Sequence, residues 1–311
     1  MKKTLLALVA SLALVSSCGT APQTTQECAK ELKVMSWNIW HAGHSKAYPE
    51  VGCQGTMDII KDSKADVIMM IETYGASDQV ADHLGYYHRL ISSNLSIYSR
   101  YPITKTLTFP DSISTFNFGG VEIDMNGQKV RIFDTWIHYL PDTRLVPTDS
   151  TEQQIIAWET DGSRDNELRT ILNTIAPYLA EADSIPVIMG GDFNSHSHLD
   201  WTEATKDMYS HGGAVVEWPI SKMMTDAGFT DSFRAINPDP TKNLGNTWMH
   251  PLEGQEMRID RIDYIYSMGS KLEPIASEIY NQELGKMLDF NGKQYFYASD
   301  HGFVLSTFKI K

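Results

Sequence analysis

The strongest constraint on this chain is a recurring pattern of short apolar runs that stop at a polar or turn residue. Eight of them follow one another: Leu32–Ile39, Val67–Ile71, Leu95–Tyr98, Gly120–Met125, Val130–Tyr139, Ile185–Gly190, Arg261–Tyr266 and Phe303–Ile310. Each has strand length, and Asn, Asp, Gly or Pro bounds it. Two helical patterns lie between them. Thr56–Ser63 carries Met57 and Ile60 on one face, and Arg164–Ala180 carries Leu168, Ile171, Leu172 and Ile175 at i, i+3, i+4, i+7 spacing. Strands outnumber helices and come partly in adjacent pairs. The expected class is therefore α/β, with two packed mixed sheets and helices outside rather than a doubly wound parallel sheet.

Composition narrows what such sheets are for. The 311 residues include 7 Trp, 14 Tyr and 11 Phe, enough aromatic material for a large core. Three cysteines exclude a disulfide scaffold and a Cys-rich zinc module. The formal net charge of −13 argues against tight nonspecific nucleic-acid binding, unless a local basic groove or a bound metal overrules it.

The N-terminus reads as an address. Lys2 and Lys3 precede an apolar run from Leu5 to Val15, too short to span the ~30 Å of a bilayer core. Val15-Ser16-Ser17-Cys18 resembles a bacterial lipobox. Residues 1–17 are thus expected to be a lipoprotein signal peptide. Residues 18–31 would be a lipidated Cys18 with a small, polar tether, and residues 32–311 one domain. Several acyl chains on Cys18 would hold an exported protein on a membrane, in the periplasm or at the cell surface. In an oxidising compartment Cys28 and Cys53 either pair or stay as free thiols.

Chemistry gathers at the strand ends. Asn38 is a polar residue inside an apolar run, and Ile68-Met69-Met70-Ile71-Glu72 ends its run in a carboxylate. Gly190-Gly191-Asp192-Phe193-Asn194-Ser195 follows another run. Its glycines permit a sharp turn, and Asp192 and Asn194 point the same way if the chain is extended. Ser299-Asp300-His301 precedes the last run, a carboxylate–imidazole pair suited to a metal and to proton transfer. Each feature alone also has a bland reading as a satisfied core residue or the start of a solvated loop.

Together and in this order they resemble the endonuclease/exonuclease/phosphatase superfamily of DNase I-like phosphoesterases, over roughly Leu32 to Lys311. The matching pieces are Ser36-Trp37-Asn38, Ile71-Glu72, Tyr98-Ser99-Arg100-Tyr101-Pro102-Ile103, Gly191-Asp192-Phe193-Asn194-Ser195, Arg261-Ile262-Asp263-Tyr264-Ile265 and Ser299-Asp300-His301. The resemblance implies a four-layer sandwich of two mixed β-sheets flanked by helices, with the site at one end of the sheets. It implies that Glu72 is the main metal ligand, with Asn38 and Asp300 supporting the metal directly or through water. Oxygen donors select a hard cation, so Mg²⁺ is expected and Mn²⁺ as its substitute. The resemblance further implies that His301 activates water or contacts phosphate, with Asp263 orienting it. Asp192 is the rival proton acceptor, and Asn194 would donate to a phosphoryl oxygen. Arg100 reads as a structural ion-pair partner.

One departure stands out. Where the family carries Asn/Ser-Thr-His-Leu, this chain reads Asp134-Thr135-Trp136-Ile137-His138. Taken literally, Trp136 occupies the histidine's place. His138, two residues on, is assigned the phosphate or acid role, and otherwise lines the substrate pocket. Trp248 and His196 are expected on the substrate side, within stretches that border the site's mouth. His196 and His198 at i, i+2 spacing form a weaker candidate for a second metal. The expected activity is an exported, lipid-anchored, Mg²⁺-dependent hydrolase of a small or lipid-linked phosphoester. An extracytoplasmic nuclease and a non-catalytic surface-binding lipoprotein are the alternatives. Nucleic acid enters only as a possible substrate, and no protein partner is inferable.

Overall fold

The apolar runs do fold as strands of two six-stranded sheets. This is a computed structural model, and it describes residues 31–43, 49–209, 211–251 and 257–311. The first sheet begins with β1 (Glu31–Asn38), β2 (Val67–Ile71), β3 (Tyr87–Leu90) and β4 (Leu95–Ser99). The second begins with β5 (Ile103–Leu107), β6 (Phe118–Met125), β7 (Gln128–Trp136), β8 (Val187–Asp192) and the short β9 (Thr230–Asp231). After a ribbon of β10 (Trp248–Pro251) and β11 (Met257–Asp260), β12 (Asp263–Met268) returns to the second sheet and β13 (Leu272–Tyr280) to the first. A second ribbon, β14 (Met287–Phe290) and β15 (Lys293–Phe296), precedes β16 (Phe303–Ile310), which completes the first sheet. The sheet orders are β13-β16-β1-β2-β4-β3 and β5-β6-β7-β8-β12-β9. Both are mixed: β1 runs parallel to β2 and antiparallel to β16, while β7 runs parallel to β8 and β8 antiparallel to β12.

Two-residue periodicity sorts the side chains of each strand onto two faces. Leu32 and Val34 of β1 meet Val130 and Ile132 of β7, Ile188 of β8 and Ile265 of β12 between the sheets. Met35 and Trp37, on the other face of β1, pack with Ile59 and Ile60 of helix α1 (Pro49–Ser63) and Val80 of α2 (Ser77–Leu84). Behind the second sheet, Phe133, Met189 and Tyr264 pack against Leu168, Ile171 and Ile175. Those three belong to α4 (Arg164–Leu179), which follows α3 (Glu152–Thr160). Ile220 and Met224 of α5 (Pro219–Asp226) extend that layer, and a short α6 (Ser232–Ile236) lies against β13. The result is helix, sheet, sheet, helix. Each fully buried aliphatic or aromatic side chain contributes ~1.5–3 kcal/mol, so three apolar layers outweigh the ordering of this many strands.

Four details differ from the expectations. α1 starts at Pro49, seven residues before the helical pattern, and proline suits a first helical turn because its missing N–H has no helical partner there. Cys53 therefore sits on a helix rather than in a loop. Whether Cys53 pairs with Cys28 lies outside the described residues, as do the expected signal peptide, Cys18 and the tether. β7 stops at Trp136 because Ile137 N–H makes the last bond to β8, on the Asp192 carbonyl, and the next amide leaves the ladder: His138 N–H donates to the Glu167 carboxylate at 2.9 Å. The stretch after Asn194 is largely a small core of its own, in which Trp201, Trp218, Val216 and Ile155 pack together. Among the described residues, no helix is long and apolar enough to cross a membrane.

Candidate active site

The face between the sheets turns polar where the strands end. Asn38 follows Leu32, Val34 and Ser36 in the same parity along β1. Asp192 follows Ile188 and Gly190 along β8, and Asp263 precedes Ile265 on β12. Period-two alternation thus aims all three side chains at the same gap. Gly191 makes that possible, because at its φ of +143° a Cβ would stand 1.9 Å from the Thr135 carbonyl oxygen of β7.

The polar groups join in one network. The Asn38 amide donates to Glu72 Oε1 and to Asp192 Oδ2, each at 3.1 Å. His301 donates from Nδ1 to Asp263 Oδ2 at 3.0 Å, and its Nε2 lies 3.9 Å from both Asp192 Oδ2 and Asp300 Oδ1. Trp248 donates its indole N–H to Asp300 Oδ2 at 3.5 Å and sets its ring 6.0 Å from the His301 ring. Asn194 donates its backbone N–H to Asp192 Oδ1 and its amide to the Ile137 carbonyl, both at 2.9 Å. Glu72, Asn38, Asp192, Asp263, Asp300, His301, Asn194 and Trp248 therefore converge from both sheets, although the sequence spreads them over more than 260 positions.

The loops that present these groups carry strained backbone. Glu72 has φ +59° and Asn194 φ +50°, and Trp40, His41 and Ala42 are left-handed in succession. For a residue with a Cβ this costs ~1–2 kcal/mol, and surrounding hydrogen bonds must hold it. At Glu72 they do: its N–H donates to Asn94 Oδ1 at 3.1 Å, and its Oε2 accepts from His41 N–H at 3.3 Å. Sequence reasoning missed Asn94 and His41 because neither interrupts an apolar run. It also missed Thr247, whose hydroxyl accepts from the N–H groups of Ile262 and Asp263 and so fixes the start of β12.

Burial and charge compete here. Burial pushes the Asp192 carboxyl up to about 8, with the facing His301 pulling it down and Asp263 pushing it up again. Burial alone would lower the His301 imidazole, but Asp263, Asp192 and Asp300 outweigh it and hold the ring well above its ordinary value. Three carboxylates around one imidazole leave excess negative charge. Asp263 Oδ1 is buried without a hydrogen-bond partner, and Asp192, Asp263 and His301 bring ligand atoms within 4.8 Å of one another. An oxygen-rich donor set of this kind fits a divalent cation. Asn38 turns its amide nitrogen toward the carboxylates and its oxygen toward the Trp40 N–H at 3.0 Å, so it orients Glu72 rather than facing a metal with its oxygen.

Other expected residues are placed differently. His196 is 1% exposed, its ring 5.1 Å from the Trp201 ring and 4.5 Å from the Trp218 ring, with Nδ1 3.3 Å from Asp260. The expectation of a substrate-side His196 is thereby corrected: two indoles bury the imidazole and a carboxylate satisfies it. His198 bonds Ser221 at 2.8 Å instead of joining His196. Arg100 pairs with Asp66 at 3.3 Å, as a structural partner would. His138 leaves β7, and its Nδ1 accepts from Leu140 N–H at 3.2 Å, which puts the ring hydrogen on Nε2 when the ring is neutral. Trp136, half-buried at the end of β7, pairs in register with Asp192.

Residues 35–301 match the model of the Endonuclease/Exonuclease/phosphatase family. The chain belongs to that family. Its site is accordingly that of a metal-dependent phosphoesterase, on a DNase I-like α/β sandwich. A curated relative, an uncharacterized protein of Caenorhabditis elegans, is 27% identical over 302 residues, covering 92% of this chain and 93% of its own length. Among solved structures, D. rerio TDP2 complexed with single strand DNA product superposes with a TM-score of 0.57 at 15% identity, over 90% of this chain and 100% of that one. A family protein from Bacteroides thetaiotaomicron gives 0.56 at 13%, over 90% and 98%. At these identities the structural likeness speaks for the fold.

Proposed function

We propose that this family member is an exported, lipid-anchored, Mg²⁺-dependent hydrolase of a small or lipid-linked phosphoester. The observation that carries the catalytic part is the network in which Asn38 bridges Glu72 to Asp192 while Asp263 holds His301 beside it. Glu72 and Asp300 would hold the cation beside the unpaired Asp263 Oδ1 and the Asp192 carboxylate, with Asn38 fixing Glu72. When bound, the cation supplies positive charge for the phosphoryl oxygens.

The side chains divide the remaining work. Asp192 Oδ2 and His301 Nε2, 3.9 Å apart, are close enough for one oxygen beside them to hydrogen-bond to both. Asp192 takes the proton of the attacking water as the water oxygen bonds to phosphorus and the P–O ester bond breaks. His301, kept protonated by Asp263, donates from Nε2 to a phosphoryl oxygen, and Asn194 offers its second amide hydrogen to another. His138 donates a hydrogen bond from its Nε2–H to the departing oxygen, which takes its proton from solvent. Preorganised donors of this type are worth several kcal/mol where charge develops.

The lipid anchor rests on Lys2, Lys3, the run to Val15 and Cys18. Radiolabelled palmitate should enter the expressed protein, and Cys18→Ser should abolish the label. A label that survives the substitution would refute the anchor.

Nucleic acid is the second reading, favoured by the fold shared with a DNA-product complex of D. rerio TDP2. The net charge of −13 and the lack of any Lys/Arg run in residues 32–311 weigh against it. A substrate panel separates the two. Release of phosphate or headgroup from small phosphoesters, with plasmid and oligonucleotide left intact, supports the hydrolase. Rapid digestion of DNA at low protein concentration supports the nuclease.

A further inference from the structure

Behind the Asn194 turn runs a chain of buried polar contacts that ends on the loop carrying His138. The Ser195 hydroxyl donates to Glu159 Oε1 at 2.7 Å. Glu159 Oε2 forms an ion pair with Arg164 Nη2 at 3.0 Å, and the same nitrogen donates to the Pro141 carbonyl. Ser195, Glu159 and Arg164 are fully buried. Both ends of the chain are tied to the site. The Asn194 amide donates to the Ile137 carbonyl and Ile137 N–H to the Asp192 carbonyl, each at 2.9 Å. Glu167 accepts the His138 N–H from the same first turn of α4 that carries Arg164. Arg164 is also close enough to Asp192 for their charges to attract.

The ion pair is poorly placed for stability alone. Glu159 is the last residue but one of α3, at the negative end of that helix dipole, and Arg164 is the first of α4, at the positive end. Both charges are out of water, where an apolar pair of similar volume is often equally stable or more so. Arg164 Nε and Nη1 make no hydrogen bond to the described residues, which adds to the cost. What the pair does achieve is a fixed spacing between two backbones. Gly162, at the corner between α3 and α4, presses on the same loop: a Cβ there would stand 2.4 Å from the Leu140 carbonyl oxygen. The corner therefore grips the loop at Gly162 and at Arg164, and holds Ser195 through Glu159.

We propose that Ser195, Glu159 and Arg164 form a positioning relay that sets the spacing between Asn194 and His138, the donors to the phosphoryl and departing oxygens. It rests on their roles in the phosphoester hydrolase, a reading that it deepens. None of the three touches substrate. With the relay cut, the Pro141 end of the loop is released and His138 no longer meets the departing oxygen squarely. A misplacement of ~1 Å from such a distance can cost ~10²-fold in rate. The metal side, at Glu72 and Asp300, keeps its own contacts.

The leaving group reads this directly. p-Nitrophenolate departs as a stabilised anion and gains little from a hydrogen bond, whereas phenolate carries more charge on its oxygen and gains more. Hydrolysis of phenyl against p-nitrophenyl phosphate, and of diphenyl against bis(p-nitrophenyl) phosphate, is measured with the Mg²⁺-loaded full chain. The variants are Glu159→Ala/Arg164→Met, which leaves no buried charge, Gly162→Ala, which pushes the loop without removing a charge, and His138→Ala as reference. Each should lose at least ~10-fold in kcat on the phenyl ester and at most ~3-fold on the p-nitrophenyl ester. KM and the Mg²⁺ concentration for half activity should stay within ~2-fold of wild type. Ser195→Ala should slow wild type in the same sense and slow the double variant no further, because the chain is already cut there. Urea unfolding of every variant confirms that the rates belong to folded protein. Equal slowing of both esters, or full activity in the folded double variant, would overturn the relay, as would independent, multiplicative effects of Ser195→Ala and the double variant. A leaving-group difference in His138→Ala without one in the relay variants leaves the hydrolase reading intact and removes only the relay. No such difference in His138→Ala removes the role of His138 and the relay with it, and no Glu72-dependent cleavage of any ester removes the hydrolase reading itself.

Discussion

The Asn38 amide reaches across the gap between two sheets to donate to Asp192, 154 residues later, at 3.1 Å. The same nitrogen donates to Glu72. Asn38 is fully buried and supplies the donor to Glu72 Oε1 and Asp192 Oδ2, while His41 N–H and Asn194 N–H serve the other oxygen of each carboxylate. Removing it leaves Asp192 short of a hydrogen-bond partner in a buried site, at ~1–3 kcal/mol. Asn38→Ala should therefore lower unfolding free energy in urea by that amount and reduce turnover at least ~10-fold. A variant with full stability would show that the bridge does not hold the site.

Asp263 keeps His301 charged and aimed. Asp263→Asn removes the largest of the carboxylate contributions that raise the His301 pKa, and burial then lowers it. Loss of a positioned proton donor typically costs 10²–10⁴-fold in rate. Activity should fall within that range, and the high-pH limb of kcat/KM should move to lower pH, since the ring loses its proton sooner. A pH–rate profile of wild type and variant checks both. An unchanged limb would separate Asp263 from the ring's protonation.

Asp134 sits fully buried on the same face of β7 as Ile132, and burial raises its carboxyl well above the ordinary value. The folded state thus keeps a proton that the unfolded chain releases above pH ~3.9. The stability this contributes is complete below pH ~3.9 and declines as pH rises toward the folded-state value. Asp134→Asn removes that linkage. The variant should gain on wild type in urea unfolding as pH goes from 4 to 8 (approximate settings chosen to bracket the shift). A constant difference across pH would contradict the buried, neutral carboxyl.

Glu159 and Arg164 form a fully buried ion pair at 3.0 Å, and Glu159 also accepts from the Ser195 hydroxyl at 2.7 Å. Glu159→Ala strands the guanidinium, which costs ~3–5 kcal/mol in such settings. The double variant Glu159→Ala/Arg164→Met should recover most of the loss, because no buried charge remains. Chemical denaturation of wild type, Glu159→Ala, Arg164→Met and the double variant completes the cycle, and a double variant no better than Glu159→Ala would assign the loss to packing instead.

Much of this architecture was legible because burial on both faces writes itself as short apolar runs. All eight runs became strands, and both helical patterns became helices. The site was legible where a polar residue breaks such a run, as at Asn38, Glu72 and Asp192. The edge strand β3 and the ribbons were not, since Tyr87-His88-Arg89-Leu90 is largely exposed and carries no apolar signal. His196 misled for the opposite reason: a histidine among aromatics reads alike whether it rims a pocket or, as here, is enclosed by Trp201 and Trp218. The end of β7 was decided by Glu167, a contact 29 residues away that local patterning does not encode.

The central claim is that Glu72 and its neighbours hold a divalent cation that phosphoester cleavage requires. The direct measurement is hydrolysis of bis(p-nitrophenyl) phosphate and p-nitrophenyl phosphate by protein stripped with EDTA, then given Mg²⁺ or Mn²⁺, for wild type and Glu72→Gln. Wild type should be inactive when stripped and active on restoration, with Glu72→Gln at least ~100-fold slower under the same conditions. Metal-independent turnover, or a Glu72→Gln protein as fast as wild type, would contradict it.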